Sequence, residues 1–441
     1  MKTKFWKKSA LFTAMVFCLG ITVLLFFFSM IVDGFIKKQI IGKLESSYPE
    51  YTFDIASLRF NVWENRIVAE GVSVTGHDPA LSGSVQTISI GGIHWLRFLW
   101  KGDETPDPFA DVAVEGEGIL LNFPDSLYEL RCKTLNVSLP DSQVSVKGFE
   151  VQPAGSDTAF FAASPFRQTR FRFTVAEGGM VGIGFKEIFG GSAYRARSLS
   201  FSDVAIDILI NKEKRSDKTS PPPLMPNDVF PLIKDIIQLD SLNISGATLK
   251  YGERFSAKAA PAVLAWENVQ LAVEGISTQG DTIFIKAGGE FMKGGVMNLR
   301  MEIPVGPEFS FNYSGSLSGM PLVNLNPWLV ISDHTRIKSG VLIDAALDIR
   351  LVKGRATGSV RAVYRNLSIA LLDGNTRSEN DIEELLSSFI ANTFAIRQNN
   401  VPDDSGALKV GVVNYTRTRK DAFFTVVWFA LRSGLGDVVG F

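Results

Sequence analysis

Apolar and polar positions alternate along most of this chain. From Tyr51 onward, short stretches such as Leu135-Asn136-Val137-Ser138-Leu139, Val204-Ala205-Ile206-Asp207-Ile208 and Val341-Leu342-Ile343-Asp344-Ala345 follow one another, broken by Gly, Asn, Asp and Pro. This is the pattern of half-buried β-strands. Strict alternation implies antiparallel sheet with one apolar face. A finer unit recurs within the stretches: two apolar residues flank a polar one, two residues intervene, and the unit repeats. Ile67, Ala69, Val72 and Val74 follow it, as do Ile88, Ile90, Ile93 and Trp95, and Val144, Val146, Phe149 and Val151. Leu199, Phe201, Val204 and Ile206, then Leu242, Ile244, Ala247 and Leu249, then Leu264, Trp266, Val269 and Leu271 repeat it.

The residue before each second half is Gly71, Gly92, Gly148, Asp203, Gly246 or Asn268. These residue types tolerate positive φ. A step of three turns the apolar set to the other face unless one extra residue restores it. The unit therefore predicts either a strand bent once at a bulge or a tight turn between two very short strands. In a chain this apolar, about four such matches arise by chance. If about 25 strands lie side by side at roughly 4.8 Å, a continuous sheet extends on the order of 120 Å.

Helical periodicity is confined to a few places. Residues 10–32 read ALFTAMVFCLGITVLLFFFSMIV, without a charge. A helix of that length spans roughly 34 Å, enough for a bilayer core. Leu11, Phe17, Leu24 and Phe27 lie on this predicted membrane anchor, and Lys2, Lys4, Lys7 and Lys8 precede it. The basic tail 1–9 stays cytoplasmic by the positive-inside rule, and the bulk of the chain is exported. A cleaved signal peptide fits less well, because the run is long and Phe27, Phe28, Met30 and Ile31 stand where small residues are needed. Residues 33–50 place Phe35, Ile36, Ile40, Ile41 and Leu44 at helical spacing among lysines. They predict an amphipathic helix, lying on the membrane surface or forming a solvated stalk.

A β-rich region is expected over 51–210, a polar, Pro-rich linker or exposed loop over 211–228, and a second β-rich region over 229–441. A short helical turn is expected around 229–238. The second region holds a predicted helix near 378–395, with acids in its first turn and Ile382, Leu385, Leu386, Phe389 and Ile390 as its stripe. The run Ala422–Leu431 is too short to span a bilayer as a helix and is read as a buried strand, followed by an apolar tail over 432–441.

Composition narrows the function classes. The 441 residues carry 45 Lys+Arg against 46 Asp+Glu, for a net charge of −1, so no electrostatic footprint for nucleic acid is present. Apolar residues make up 46 %, too many for a disordered chain. Two cysteines give no disulfide framework, and Cys18 lies in the predicted anchor, far from Cys132. His77, His94 and His334 are widely separated and show no metal-ligand spacing. Gly315-Ser316-Leu317-Ser318-Gly319 places Leu317 where a nucleophile elbow needs Ser. Gly190-Gly191 lacks the spacing of a phosphate loop, and Asp373-Gly374-Asn375 brings its Gly too early for a calcium loop. The expectation is therefore a protein that is not an enzyme, with no catalytic residue, metal or cofactor.

Two phrases carry a family resemblance. The first runs from Leu58 to Val74, LRFNVWENRIVAEGVSV, after a basic N-terminus and a single anchor. The second is Leu239 to Tyr251, LDSLNISGATLKY, with Trp266-Glu267-Asn268-Val269-Gln270-Leu271 after it. In these phrases and in layout the chain resembles the AsmA-like family, the bacterial inner-membrane-anchored group that includes TamB and YdbH relatives. The resemblance implies a single-pass inner-membrane protein with a periplasmic, β-rich body and a hydrophobic groove. Long members are thought to conduct phospholipids between membranes.

Together these readings predict a mainly β fold: an elongated, twisted antiparallel sheet with an apolar groove, one N-terminal transmembrane helix and a few short helices. A sheet with one apolar face must be covered, close on itself or offer that face to a ligand. The expected ligand is phospholipid or another acyl lipid, lined by Ile67, Val72, Val74, Ile88, Ile90, Val144, Val146, Leu242, Ile244, Leu249 and Leu271. The expected role is lipid binding or conduction in support of envelope lipid transport or outer-membrane biogenesis. The alternative is an envelope assembly factor that binds an outer-membrane or periplasmic protein by pairing at a free sheet edge.

Overall fold

The structure is a computed structural model. It describes residues 37–61, 64–77, 81–94, 109–217, 219–229, 232–306, 308–372 and 396–440. The expected anchor 10–32 with its flanking lysines, and the expected helix 378–395, lie outside the described residues. Among the described residues no helix is long and apolar enough to cross a membrane. The fold is mainly β, and the chain divides into two compact units, Met1–Phe149 and Glu150–Phe441.

In the first unit residues 37–47 form helix α1. Six strands follow in sequence order: β1 (Tyr51–Asn61), β2 (Arg66–Gly76), β3 (Ser82–Gly91), β4 (Ala113–Phe123), β5 (Tyr128–Ser138) and β6 (Gln143–Pro153), the last of which carries the chain into the second unit. The first five pair antiparallel in unbroken register. Helix α1, expected on a membrane surface or as a solvated stalk, instead lays Ile40 and Ile41 against Ile55, Leu58 and Ala69 of the sheet.

The second unit holds ten strands, again in sequence order: β7 (Thr169–Val181), β8 (Ala193–Asn211), β9 (Ile236–Arg254), β10 (Ala262–Ser277), β11 (Thr282–Phe291), β12 (Gly295–Pro304), β13 (Ser310–Pro321), β14 (Thr335–Val352), β15 (Arg355–Leu371) and β16 (Val410–Thr416). Helices α2 (Asp157–Ala162) and α3 (Phe185–Phe189) flank β7, α4 (Pro226–Val229) lies between β8 and β9, α5 (Asn326–Ser332) precedes β14, and α6 (Phe423–Val439) follows β16.

Several expectations are corrected. Pairing is not antiparallel throughout, because β8 and β9 run parallel. A parallel pair needs a chain that returns from one end of the sheet to the other. The Pro-rich segment 211–228 belongs to that return inside the second unit, and its Met225 is fully buried in the same core cluster as Val273, Ile283 and Phe311. The helical turn expected at 229–238 lies earlier, as α4 at Pro226–Val229, and β9 already begins at Ile236. The run Ala422–Leu431 with its tail is not a strand but most of α6. Its buried residues Val426, Ala430, Gly434 and Val438 recur every fourth position, one stripe of an α-helix. Gly434 and Gly411 of β16 let that stripe approach the sheet, since a Cβ at Gly434 would meet the Val360 side chain at 2.6 Å and one at Gly411 would meet the Gly434 carbonyl oxygen at 2.0 Å.

Among the described residues sixteen strands take the place of about 25 short ones, because the two-part units lie within single strands. Gly71, Gly148, Asp203, Gly246 and Asn268 all have positive φ and stand inside β2, β6, β8, β9 and β10. That excludes the tight-turn reading at these five positions. Gly92 also has positive φ but follows the end of β3, so there the unit marks a strand end.

Candidate functional site

In the first unit the bends line up. Opposing residues on neighbouring strands keep constant register on both sides of one row, and that row runs through Ala56, Gly71, Gln86, Gly118 and Lys133. Gly148 continues it, since a Cβ there would meet the Lys133 side chain at 2.6 Å. Each strand carries the extra residue at the same level, so no strand slips against its neighbour. Every strand therefore steps by three between same-face residues: Ile55 to Leu58, Ala69 to Val72, Val85 to Ile88, Cys132 to Leu135. The left-handed backbone sits on alternate strands, at Gly71, Gly118 and Gly148.

The outcome is one apolar face in four rows. Phe60, Ile67, Ile90, Val114 and Val137 stand opposite one another. Leu58, Ala69, Ile88, Gly116 and Leu135 form the next row, and Ile55, Val72, Val85, Ile119 and Cys132 the third. Phe53, Val74, Gly83, Leu121 and Leu130 complete it. On β6, Val144 and Val146 fall beside Val137 and Leu135 by the same spacing. The other face is polar, with ion pairs Arg59–Glu70 at 2.6 Å, Arg66–Glu115 at 3.6 Å and Arg131–Glu129 at 2.8 Å. Hydrogen bonds from Ser57 and then Arg59 hold the Glu70 carboxyl below its ordinary range. A shallow cleft of about 150 Å³ on this face is lined by Arg66, Ser89, Glu115 and Asn136 among others.

The apolar face is only partly shielded. Ile55, Leu58, Ala69 and Cys132 are buried, the first three beside α1, and Ile67, Val72 and Ile88 pack against that same α1-capped cluster. Ile67, Val72, Val74, Ile88, Ile90, Val114, Ile119, Leu121, Leu130, Leu135, Val137, Val144 and Val146 are half-buried. A covered β layer brings such residues close to full burial. Burial raises the Cys132 thiol above its ordinary range, so it stays protonated and packs as a small apolar group.

The sequence-predicted residues of the second unit occupy a different setting. Leu242 stands opposite Leu199 and Val273, Ile244 opposite Phe201 and Leu271, and Leu249 opposite Ile206 and Trp266. Leu242 and Leu271 pack against the main core, which α6 and Met225 help to fill. Leu249 and Ile244 are half-buried. The structure thus gathers Ile67, Val72, Val74, Ile88, Ile90, Val144 and Val146 on one face of the first unit, and Leu242, Ile244, Leu249 and Leu271 on one face of the second. Leu11, Phe17, Leu24 and Phe27, with Lys2, Lys4, Lys7 and Lys8, lie outside the described residues.

Sequence reading missed the contributions of β1, β4 and β5. Phe53, Ile55, Leu58 and Phe60, and Leu130, Cys132, Leu135 and Val137, repeat the two-part unit, but with Ala56 and Lys133 at the bend instead of Gly, Asn or Asp. Of the histidines, His77 lies within 3.2 Å of the Thr52 hydroxyl and His94 within 2.5 Å of an Asp111 carboxylate oxygen. Among the described residues no group of three His, Cys, Asp or Glu side chains is placed to hold a metal ion. No protein-family model matches the chain, and no curated protein matches it.

Proposed function

We infer that this protein binds acyl lipid on the apolar face of its first β unit and serves lipid handling in a cell envelope. The observation that carries this reading is the half-buried, four-row apolar face of β1–β6, on which α1 packs at one end among the described residues. Acyl chains suit such a surface. Each buried CH₂ contributes about 0.8 kcal/mol and needs no directional partner. Support also comes from the uncharged run of residues 10–32 behind four lysines, which fits an inner-membrane anchor with the β body in the periplasm. The AsmA-like phrases point the same way.

The test is lipid extraction and mass spectrometry of the purified full chain. Glycerophospholipid is expected to co-purify. Val74→Asp, in the fourth apolar row and outside the cluster that α1 caps, is expected to lower the bound lipid several-fold, while Thr75→Asp, the next residue and exposed on the polar face between Thr52 and Ser82, leaves it unchanged. Lipid-free wild-type protein, or equal loss in both variants, contradicts the reading.

A further inference from the structure

One rim of the second unit carries its most exposed apolar groups. Strand directions fix which ends share a rim: the C-terminal end of β7 lies with the start of β8, and the start of β9 follows because β8 and β9 are parallel. Antiparallel pairing then brings the end of β10, the start of β11 and so on to the end of β16, where α6 begins. The three most exposed large apolar side chains among the described residues all lie on this rim. They are Phe424 at 76 %, Phe189 at 74 % and Leu232 at 66 %. On the described loops that join β9–β10, β11–β12 and β13–β14 at the opposite rim, the most exposed is Val323 at 37 %.

The Phe424 corner is also basic. The Arg417 N–H donates to the Gly354 carbonyl, which sets the β14–β15 turn with Lys353 beside the segment Arg417–Asp421. Exposed Arg419 and Lys420 lie in that segment. The two acids nearby are engaged: Glu308 pairs with Lys353, and Asp421 accepts from the Tyr415 hydroxyl and the Thr418 N–H.

We propose that this rim docks on the surface of an anionic bilayer. Phe189, Leu232 and Phe424 enter the headgroup boundary as separate wedges, and Arg419 and Lys420 meet lipid phosphates. A bilayer accepts wedges that stand apart on three loops, whereas a protein partner would need one contiguous apolar patch or a pocket for each. Basic residues at such a surface strengthen binding by about fivefold each, and the gain falls with salt. The proposal does not depend on lipid bound along the first unit, because it concerns a membrane surface and other residues.

The experiment uses the full chain in nanodiscs of phosphatidylcholine, floated with vesicles of phosphatidylcholine alone or mixed with phosphatidylglycerol. Wild type is expected to float with the mixed vesicles, and less at high salt. The triple variant Phe189→Ser, Leu232→Ser, Phe424→Ser is expected to lose at least about tenfold in partitioning. Arg419→Glu with Lys420→Glu is expected to remove the preference for phosphatidylglycerol. All five side chains are exposed, so the fold is retained. As a second measurement, Phe424→Trp is expected to add fluorescence that brominated lipid quenches. Failure of wild type to float, equal flotation of the variants, capture by a protein partner without vesicle binding, or an unquenched Phe424→Trp signal overturns the proposal. None of these outcomes alters the lipid co-purification test.

Discussion

At the scale of single residues, the positive-φ positions govern the first unit. A left-handed conformation costs an L-residue roughly 1–2 kcal/mol and costs glycine almost nothing. Gly71 has φ +62°, and a Cβ there would meet the Ala56 Cβ at 2.8 Å. Gly71→Ala is therefore expected to lose about 1–2 kcal/mol in urea denaturation, with a further loss from the clash. Asn268 holds φ +53° with a side chain already present, so Asn268→Gly is expected to be neutral or slightly stabilising. An unchanged Gly71→Ala protein would contradict the row of aligned bends. Gly71, Gly148 and Asn268 were legible in the sequence because Gly and Asn mark left-handed backbone, whereas Gly118 was missed because Gly116 stands where the two-part unit needs an apolar residue. The bends at Ala56, Gln86 and Lys133 were not, because ordinary φ leaves no compositional trace.

Among elements, α6 takes up hydrogen-bonding groups that the last strand leaves unpaired. Strand β16 pairs with β15 on one side only. On its other side the Val412 N–H donates to Asp437 Oδ2 at 2.8 Å, and the Asn414 N–H donates to Ser433 Oγ at 3.2 Å, both acceptors on α6. An open strand edge invites pairing with another chain, and α6 closes this one. That weighs against partner binding by strand addition at β16. Lys409, and then the Val412 N–H, hold the Asp437 carboxyl below its ordinary range. A carboxylate lowered by folding contributes stability above its unfolded pKa and loses it as pH falls through the folded one. Asp437→Ala is thus expected to self-associate at neutral pH in sedimentation velocity, and wild type only on acidification to below the ordinary carboxylate range. A monomeric Asp437→Ala protein would show that the edge is guarded by something else. The helix that does this work was misread from sequence. Gly434 and Gly436 interrupt its apolar run, and Gly434 is small because it packs against the Val360 and Val413 side chains. The parallel β8–β9 pair was equally hidden, since the apolar alternation of a strand does not reveal its direction.

For the whole molecule, each unit makes its own use of a one-sided sheet. In the second, α6, α5 and the crossover at Met225 fill much of the apolar side with a conventional core. In the first, α1 packs at one end, and most of the four rows stay half-buried. The β class and the one-sided patterning were readable from alternation alone. Which face is covered was not, because covering depends on where helices dock. The central claim is that the half-buried apolar face of β1–β6 holds acyl chains. A photoactivatable benzophenone residue placed at Val74, and separately at its neighbour Thr75, tests it most directly in membranes that contain the full chain. The account predicts lipid adducts by mass spectrometry from position 74 and none from position 75. Adducts of equal yield from both positions, or only protein adducts from position 74, would contradict it.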